Sequence, residues 1–149
     1  MILTQSCVIT VDADRLWELL MDVPKVGRCI PGVESVLPID ANSYQGALKI
    51  QVGPIRLHFQ GTITVEEQNR EKMQASMRAE GSDKKIGGGV RARMTMTLTP
   101  AESGTTLTVE TDLNILGKLG EFGQPIIRKK ADTLMQEFAA NVGKALETA

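Results

Sequence analysis

The sequence predicts an α+β domain in which a curved antiparallel sheet of six to seven strands wraps around a long C-terminal helix. Apolar and polar residues alternate with a period of two, between turn signals, over residues 32–115. A period of three to four follows from about Pro125 to Leu146 and predicts the helix. Because the dry face of the sheet is the only large apolar surface available to cover this helix, we expect the two to pack together.

The first elements are predicted to be a strand and short helices. Apolar residues alternate with polar ones from Leu3 to Val11, as in a half-buried strand. Either Asp12 or Asp14 is suited to cap the helix that follows, and Pro24 ends it. A further short turn is expected over residues 24–29.

Six strands fit the alternating region, and each has one apolar side. The outward positions of the last strand are all polar, which indicates a sheet with one wet face. The dry face carries four of the seven methionines, namely Met73, Met77, Met94 and Met96. Methionine fills irregular space and repacks easily, so this wall suits a cavity for flexible apolar ligands. The alternative is an ordinary core.

The composition fits a single domain over residues 1–149. With 17 Lys and Arg against 18 Asp and Glu, the net charge is −1, and no long basic tract suggests a nucleic-acid partner. No apolar run approaches the roughly 20 residues that cross a bilayer, and the N-terminus lacks the basic region of a signal peptide. We therefore expect a cytoplasmic protein.

The residues that carry most catalytic chemistry are scarce. His58 is the only histidine, and its parity places it on the wet face of its strand. Cys7 and Cys29 have no metal-ligand spacing and are interpreted as small buried hydrophobes. The run Gly87–Gly89 precedes a strand, whereas a phosphate loop precedes a helix. The sequence therefore predicts no enzyme, no catalytic residue and no metal.

A glycine-rich segment before the long helix is predicted to act as a gate. If residues 116–124 extend the helix, Gly120 and Gly123 face the core, while Leu119 and Phe122 form an exposed apolar patch for a partner or membrane. The alternative is a loose connection. The turn near Ile30 is expected to form the opposite lip. The complete gate prediction is Ile30, Pro31, Gly117, Leu119, Gly120, Phe122 and Gly123.

Several motifs resemble the CoxG family of carbon monoxide dehydrogenase subunits, which belongs to the START-like, or helix-grip (SRPBCC), superfamily. The most distinctive is Cys29-Ile30-Pro31-Gly32. The others are Val11-Asp12-Ala13-Asp14-Arg15-Leu16-Trp17, Val52-Gly53-Pro54-Ile55, Gly104-Thr105-Thr106-Leu107 and Leu116-Gly117-Lys118-Leu119-Gly120. Together these matches extend over nearly the whole chain.

The resemblance implies a non-catalytic accessory protein of a molybdenum hydroxylase of the carbon monoxide dehydrogenase type, associated with that enzyme and with the membrane. It implies a helix-grip cavity for a hydrophobic small molecule, with an isoprenoid quinone as first candidate and a lipid as another. No covalent cofactor is expected. The ligand-binding residues expected from the inward positions are Trp17, Leu48, Ile50, Phe59, Met73, Met77, Met94, Met96, Leu113, Leu134 and Phe138.

Two other functions stay open from the sequence. The chain is also compatible with an adaptor that recruits or matures the molybdenum enzyme through surface contacts, without a ligand. A cyclase or hydrolase of the same superfamily would need an inward polar cluster, which we do not find. Lys118 and Arg128–Lys130 would attract anionic lipid at a peripheral membrane contact on the inner face, or else form a solvated helix face.

Overall fold

The computed structural model describes residues 1–147 and contains one seven-stranded antiparallel sheet, in the order β1-β7-β6-β5-β4-β3-β2. The elements are β1 Ile2–Ile9, α1 Ala13–Met21, α2 Val23–Gly27, β2 Val33–Pro38, β3 Ser43–Val52, β4 Ile55–Asn69, β5 Gln74–Asp83, β6 Gly88–Ala101, β7 Gly104–Gly117, a 3₁₀ turn Lys118–Phe122 and α3 Gln124–Glu147. The predicted fold class, with six consecutive strands and a long final helix, is confirmed. Residues 148 and 149 of the predicted domain lie outside the described part.

The two short helices are set by acidic caps. The Asp12 carboxylate accepts a hydrogen bond from the Arg15 amide at 3.2 Å, so Asp12 rather than Asp14 begins α1. Asp22 follows α1 and caps α2 through the Lys25 amide, also at 3.2 Å. Pro24 lies in the first turn of α2, where a missing amide hydrogen costs no helical bond.

The main core lies at one end of the sheet, beneath α1 and the C-terminal half of α3. Its buried residues are Ile9, Leu16, Trp17, Leu19, Leu20, Cys29, Ala75, Leu98, Leu107, Val142 and Leu146. Val142 and Leu146 are the fully buried residues of α3, and the Arg15 guanidinium donates to the Leu146 carbonyl. The C-terminal half of α3 is therefore anchored in the main core, and its N-terminal half is not.

A smaller cluster, the end core, lies at the opposite end of the sheet. It consists of buried Val52, Leu57 and Leu119, with Ile50, Ile55, Phe59, Ile86, Ile115 and Phe122 packed around them. Three connections contribute to it: the β3–β4 turn, the β5–β6 turn and the segment between β7 and α3. The end core thus ties three turns together at one end of the molecule.

Candidate functional site

An apolar cavity of about 390 Å³ lies between the main core and the end core. The strands of the sheet line one side, and α2 and the N-terminal half of α3 line the other. Its lining is almost entirely apolar. The volume falls within the roughly 300–1,000 Å³ that is typical of small-molecule sites.

The structure brings most of the predicted ligand-binding residues to this cavity. Those that line it are Leu48, Ile50, Phe59, Met77, Met94, Leu113 and Leu134. All seven are only half-buried, because their side chains retain accessible surface inside the cavity. Their contact with a ligand stays a prediction.

Four predicted residues lie elsewhere. Trp17, Met73, Met96 and Phe138 belong to the main core or pack against it, and do not line the cavity. Met73 precedes β5, in a turn, with a φ of 51°. Inward parity is therefore shared by cavity and core residues, and position along the strand separates them.

A row of glycines explains why the sheet leaves space for a cavity. Gly46, Gly61 and Gly81 are cross-strand partners on β3, β4 and β5, and all three line the cavity. Ala79 lines the adjacent position on β5. We call Gly46, Gly61 and Gly81 the glycine row. Our sequence analysis missed it, although each glycine shares the parity of apolar inward neighbours.

Two members of the glycine row differ in what surrounds them. A Cβ atom on Gly61 would overlap the backbone carbonyl oxygen of Glu80. A Cβ atom on Gly81 would meet the Phe59 Cβ at 3.6 Å, which is ordinary contact. Gly61 is therefore required by the approach of two strands, whereas Gly81 mainly leaves room in the cavity.

The polar residues of the lining favour a neutral ligand. They are Ser35, Thr62, Glu80 and Lys130, and none of them is buried. An ionised ligand enclosed among apolar side chains would have no buried opposite charge to offset its desolvation. The cavity therefore suits an uncharged hydrophobic molecule.

The predicted gate adopts a different structure from the one expected. Residues 118–122 form a 3₁₀ turn, in which Leu119 is 2% exposed, while Gly120 and Gly123 face solvent. The predicted helical register and exposed patch are therefore wrong. Gly117 and Gly123 have φ angles of 68° and 78°, and these two left-handed residues reverse the chain so that Leu119 enters the end core.

This segment, residues 117–123, forms the end wall of the cavity, and we call it the seal segment. Leu119 and Phe122 line the cavity, as does Ile30 from the predicted opposite lip. Pro31 is half-buried but does not line it, and neither do the three glycines of the gate prediction. On β6, a Cβ atom at Gly88 would approach Leu119 Cγ to 2.9 Å, so this glycine allows the seal to close.

A buried carboxylate holds the turn beside the seal segment. Asp83 is 5% exposed and accepts hydrogen bonds from the amides of His58 at 2.8 Å, Lys85 at 2.9 Å and Ile86 at 3.1 Å. The bonds from His58 and Ile86 are the main causes that hold the pKa of Asp83 below its ordinary value. Since Ile86 packs in the end core, Asp83 positions part of the cavity wall.

Asp83 is expected to make the stability of the fold depend on acidity. Its pKa is lower in the folded than in the unfolded chain, so its contribution is fully present above the unfolded value of about 3.9 and is lost as the pH falls through the folded value. Asp83→Asn should lower the melting temperature at neutral pH and flatten its decline below about pH 4. Thermal unfolding followed by circular dichroism at several pH values would measure both. An unchanged acid limb in the variant would contradict the assignment.

The groups with catalytic potential lie apart from the cavity. His58 is exposed on the outer face, as predicted, and its Nε2 lies 2.8 Å from Glu34 Oε1. Burial raises the pKa of the Cys7 and Cys29 thiols, which favours the unreactive protonated form. Within residues 1–147, no group of three or more His, Cys, Asp or Glu side chains is placed to hold a metal ion.

A second depression lies on the outside of the molecule. It has a volume of about 440 Å³, is open to solvent, and mixes charged residues such as Glu18 and Arg70 with Trp17 and Tyr44. It does not enclose a ligand. Across the described helices, none combines the length and hydrophobicity needed to span a bilayer.

Solved structures share this fold at low sequence identity. A conserved protein from Geobacillus kaustophilus superposes with a TM-score of 0.88 at 22% identity, covering 99% of this chain and 96% of that one. A START superfamily protein from Mycobacterium smegmatis gives 0.76 at 12%, with 99% and 97% covered. The Zhui aromatase/cyclase from Streptomyces sp. R1128 gives 0.66 at 14%, with 99% and 93% covered. These similarities show the START-like fold alone, which serves an enzyme in the last case.

The family assignment comes from the sequence. No curated protein matches the chain significantly. The family model for CoxG, which is described as a carbon monoxide dehydrogenase subunit, matches residues 6–147 and therefore almost the entire chain. With the START-like fold and the enclosed apolar cavity, this match shows that the chain belongs to the carbon monoxide dehydrogenase CoxG family.

Proposed function

We propose that this protein is a non-catalytic accessory protein of a carbon monoxide dehydrogenase-type molybdenum hydroxylase and carries a neutral hydrophobic ligand in its cavity. The observation that carries the proposal is the apolar cavity of about 390 Å³ without a buried charged side chain. Family membership supports the partner. The carrier links the enzyme to the membrane by moving its ligand between them.

The cavity supplies affinity through apolar contact. Each Å² of apolar surface removed from water contributes about 25 cal/mol, so a ligand that fills the cavity gains several kcal/mol. Met77 and Met94 are cross-strand neighbours in the lining, and their unbranched side chains adapt to ligands of different outline. Selectivity therefore arises from size and hydrophobicity more than from hydrogen bonding.

An isoprenoid quinone is the first candidate ligand, and a membrane lipid is the second. An oxidising hydroxylase must pass electrons to an acceptor, and a quinone is an uncharged acceptor that dissolves in the bilayer. Its ring and the first part of its prenyl chain suit an apolar cavity of this size. A long tail would extend through the cavity wall, and the seal segment is the part of that wall closed by a short turn between glycines.

Organic extraction of the purified native protein tests the carrier function directly. Mass spectrometry and ultraviolet absorbance of the extract should show a stoichiometric quinone or another polyisoprenoid. An empty extract, together with no uptake of decylubiquinone by the purified protein, would overturn the proposal. A stoichiometric phospholipid would keep the carrier function and replace the quinone as cargo.

One observation favours an adaptor function as the second candidate. Leu37 and Ile39 are 60% and 56% exposed, on and just after the edge strand β2. Exposed apolar residues at a sheet edge are typical of protein contacts. If Leu37→Asp abolishes co-purification with the molybdenum enzyme while a variant with a filled cavity keeps both co-purification and electron transfer, the adaptor function replaces the carrier.

The seal segment should control how fast the ligand exchanges. Leu119→Ala removes a buried side chain from the end core, so ligand transfer to acceptor vesicles should accelerate about tenfold or more. Stopped-flow transfer of decylubiquinone would measure this rate. Leu16→Ala is the matched control, because Leu16 is fully buried in the main core, away from the cavity. Equal rates in the two variants would contradict a gate at the seal.

A further inference from the structure

The end of the molecule that carries the end core is strongly basic. The β3–β4 turn, the β5–β6 turn, the seal segment and the first turns of α3 meet there. Their exposed basic residues are Arg56, Lys84, Lys85, Lys118, Arg128 and Lys129. The acidic residue exposed among them is Glu121. We call these six basic residues the basic rim.

The charges of the basic rim are not neutralised within the molecule. In the described chain, none of the six forms a salt bridge with an acidic side chain. The opposite end differs, because Asp12, Asp14, Glu18 and Asp22 surround α1 there. A chain with a net charge of −1 therefore has a concentrated positive field at the seal.

Exposed apolar side chains accompany the basic rim. Leu116, at the end of β7, is 43% exposed, and Ile126, in the first turn of α3, is 50% exposed. They flank the seal segment on both sides along the chain. The backbone also connects this region closely, since the Lys118 amide donates to the Gly87 carbonyl at 3.4 Å.

We propose that the basic rim is a docking surface for an anionic lipid bilayer and holds the seal segment against it. Basic side chains near a membrane surface are attracted to anionic headgroups, and the exposed Leu116 and Ile126 enter the interface between headgroups and acyl chains. Ligand transfer through this surface rests on the proposed carrier function, whereas docking itself does not.

The chemistry of the rim favours lipid headgroups over an acidic protein surface. Four of its six residues are lysines, which act as flexible point charges, and two are arginines, which recognise planar carboxylates in a fixed geometry. The six are spread over four connections around an apolar seal. A diffuse ring of lysines around apolar groups matches a fluid, uniformly charged surface.

Vesicle co-sedimentation tests the docking surface. The full chain should bind phosphatidylcholine vesicles containing phosphatidylglycerol, bind pure phosphatidylcholine weakly, and lose affinity as salt rises. Lys84→Glu with Lys85→Glu should reduce binding to the anionic vesicles at least about tenfold. Lys72→Glu with Lys144→Glu makes the same change of net charge outside the rim and should leave binding nearly unchanged.

The outcomes separate docking from the carrier function. Uptake of decylubiquinone in detergent-free solution should be equal in the wild type and the Lys84/Lys85 variant. Equal loss of vesicle binding in the rim variant and the control variant would overturn the docking surface, as would wild-type binding only to a carboxylate-rich protein column. Docking without ligand uptake by any variant would uphold the surface and refute the carrier.

Discussion

Gly81→Leu is expected to lower the affinity for decylubiquinone about a hundredfold while leaving the fold intact. Gly81 lines the cavity, and its position has room for a Cβ atom, so the longer leucine side chain would occupy the space of the ligand. Excluding a ligand group of this size costs about 2–3 kcal/mol, which corresponds to that factor in the dissociation constant. Isothermal titration calorimetry would measure it.

The control for Gly81→Leu adds the same apolar bulk outside the cavity. Thr95 is exposed on the outer face of β6, so Thr95→Leu should leave ligand affinity within about twofold of the wild type. Thermal unfolding of both variants would show that the fold is retained. Wild-type affinity in a folded Gly81→Leu protein would place the ligand outside this cavity.

Gly61→Ala is expected to destabilise the protein by about 3 kcal/mol. The new methyl group would overlap the Glu80 carbonyl oxygen, and relief of that overlap requires β4 and β5 to move apart. Overpacking against backbone lies at the upper end of the usual range of about 1–3 kcal/mol. Urea unfolding would measure the change in the free energy of unfolding.

Gly81→Ala is the matched comparison, because it adds the same methyl group to the same glycine row. The nearest atom to that methyl group would be the Phe59 Cβ at 3.6 Å, so stability should change by less than about 1 kcal/mol. If the two alanine variants unfold at the same urea concentration, the close approach of β4 and β5 at Gly61 does not constrain this position.

The strands and the long helix could be predicted from sequence because periodicity is a local signal. Each strand of the sheet keeps its apolar residues on one side, and the expected helix from Pro125 to Leu146 is observed as Gln124–Glu147. Neighbouring strands follow one another in the chain, so their antiparallel order needed no long-range information. The family, too, could be identified from motifs spread along the chain.

The seal segment could not be predicted in the same way. Its glycines repeat every three residues, and a helical extrapolation placed Leu119 on the outside. In the structure, Gly117 and Gly123 adopt positive φ angles, and the neighbouring end core attracts Leu119 from the outside to the inside. Backbone conformation at glycine and contacts between distant turns decide this element, and neither leaves a periodic pattern.

The cavity was predictable only in part. Parity identified the inward face, and Met77, Met94 and Phe59 line the cavity as expected. Parity does not show how far along a strand α1 covers the sheet, so Met96 and Trp17 were assigned to the cavity although they pack in the main core. The glycine row was missed because attention to large apolar side chains overlooks positions where missing side chains create the space.

The separation between the main core and the cavity bears on how relatives can diversify. Leu16, Leu107 and Val142 secure the fold, whereas Ala79, Gly81 and Met94 shape the space for a ligand, and the two sets do not overlap. Substitutions in the second set alter what is carried without loosening the packing of the first. Natural variation can therefore explore new cargoes at little cost in thermal stability, and a designer can alter cargo and heat resistance in separate steps.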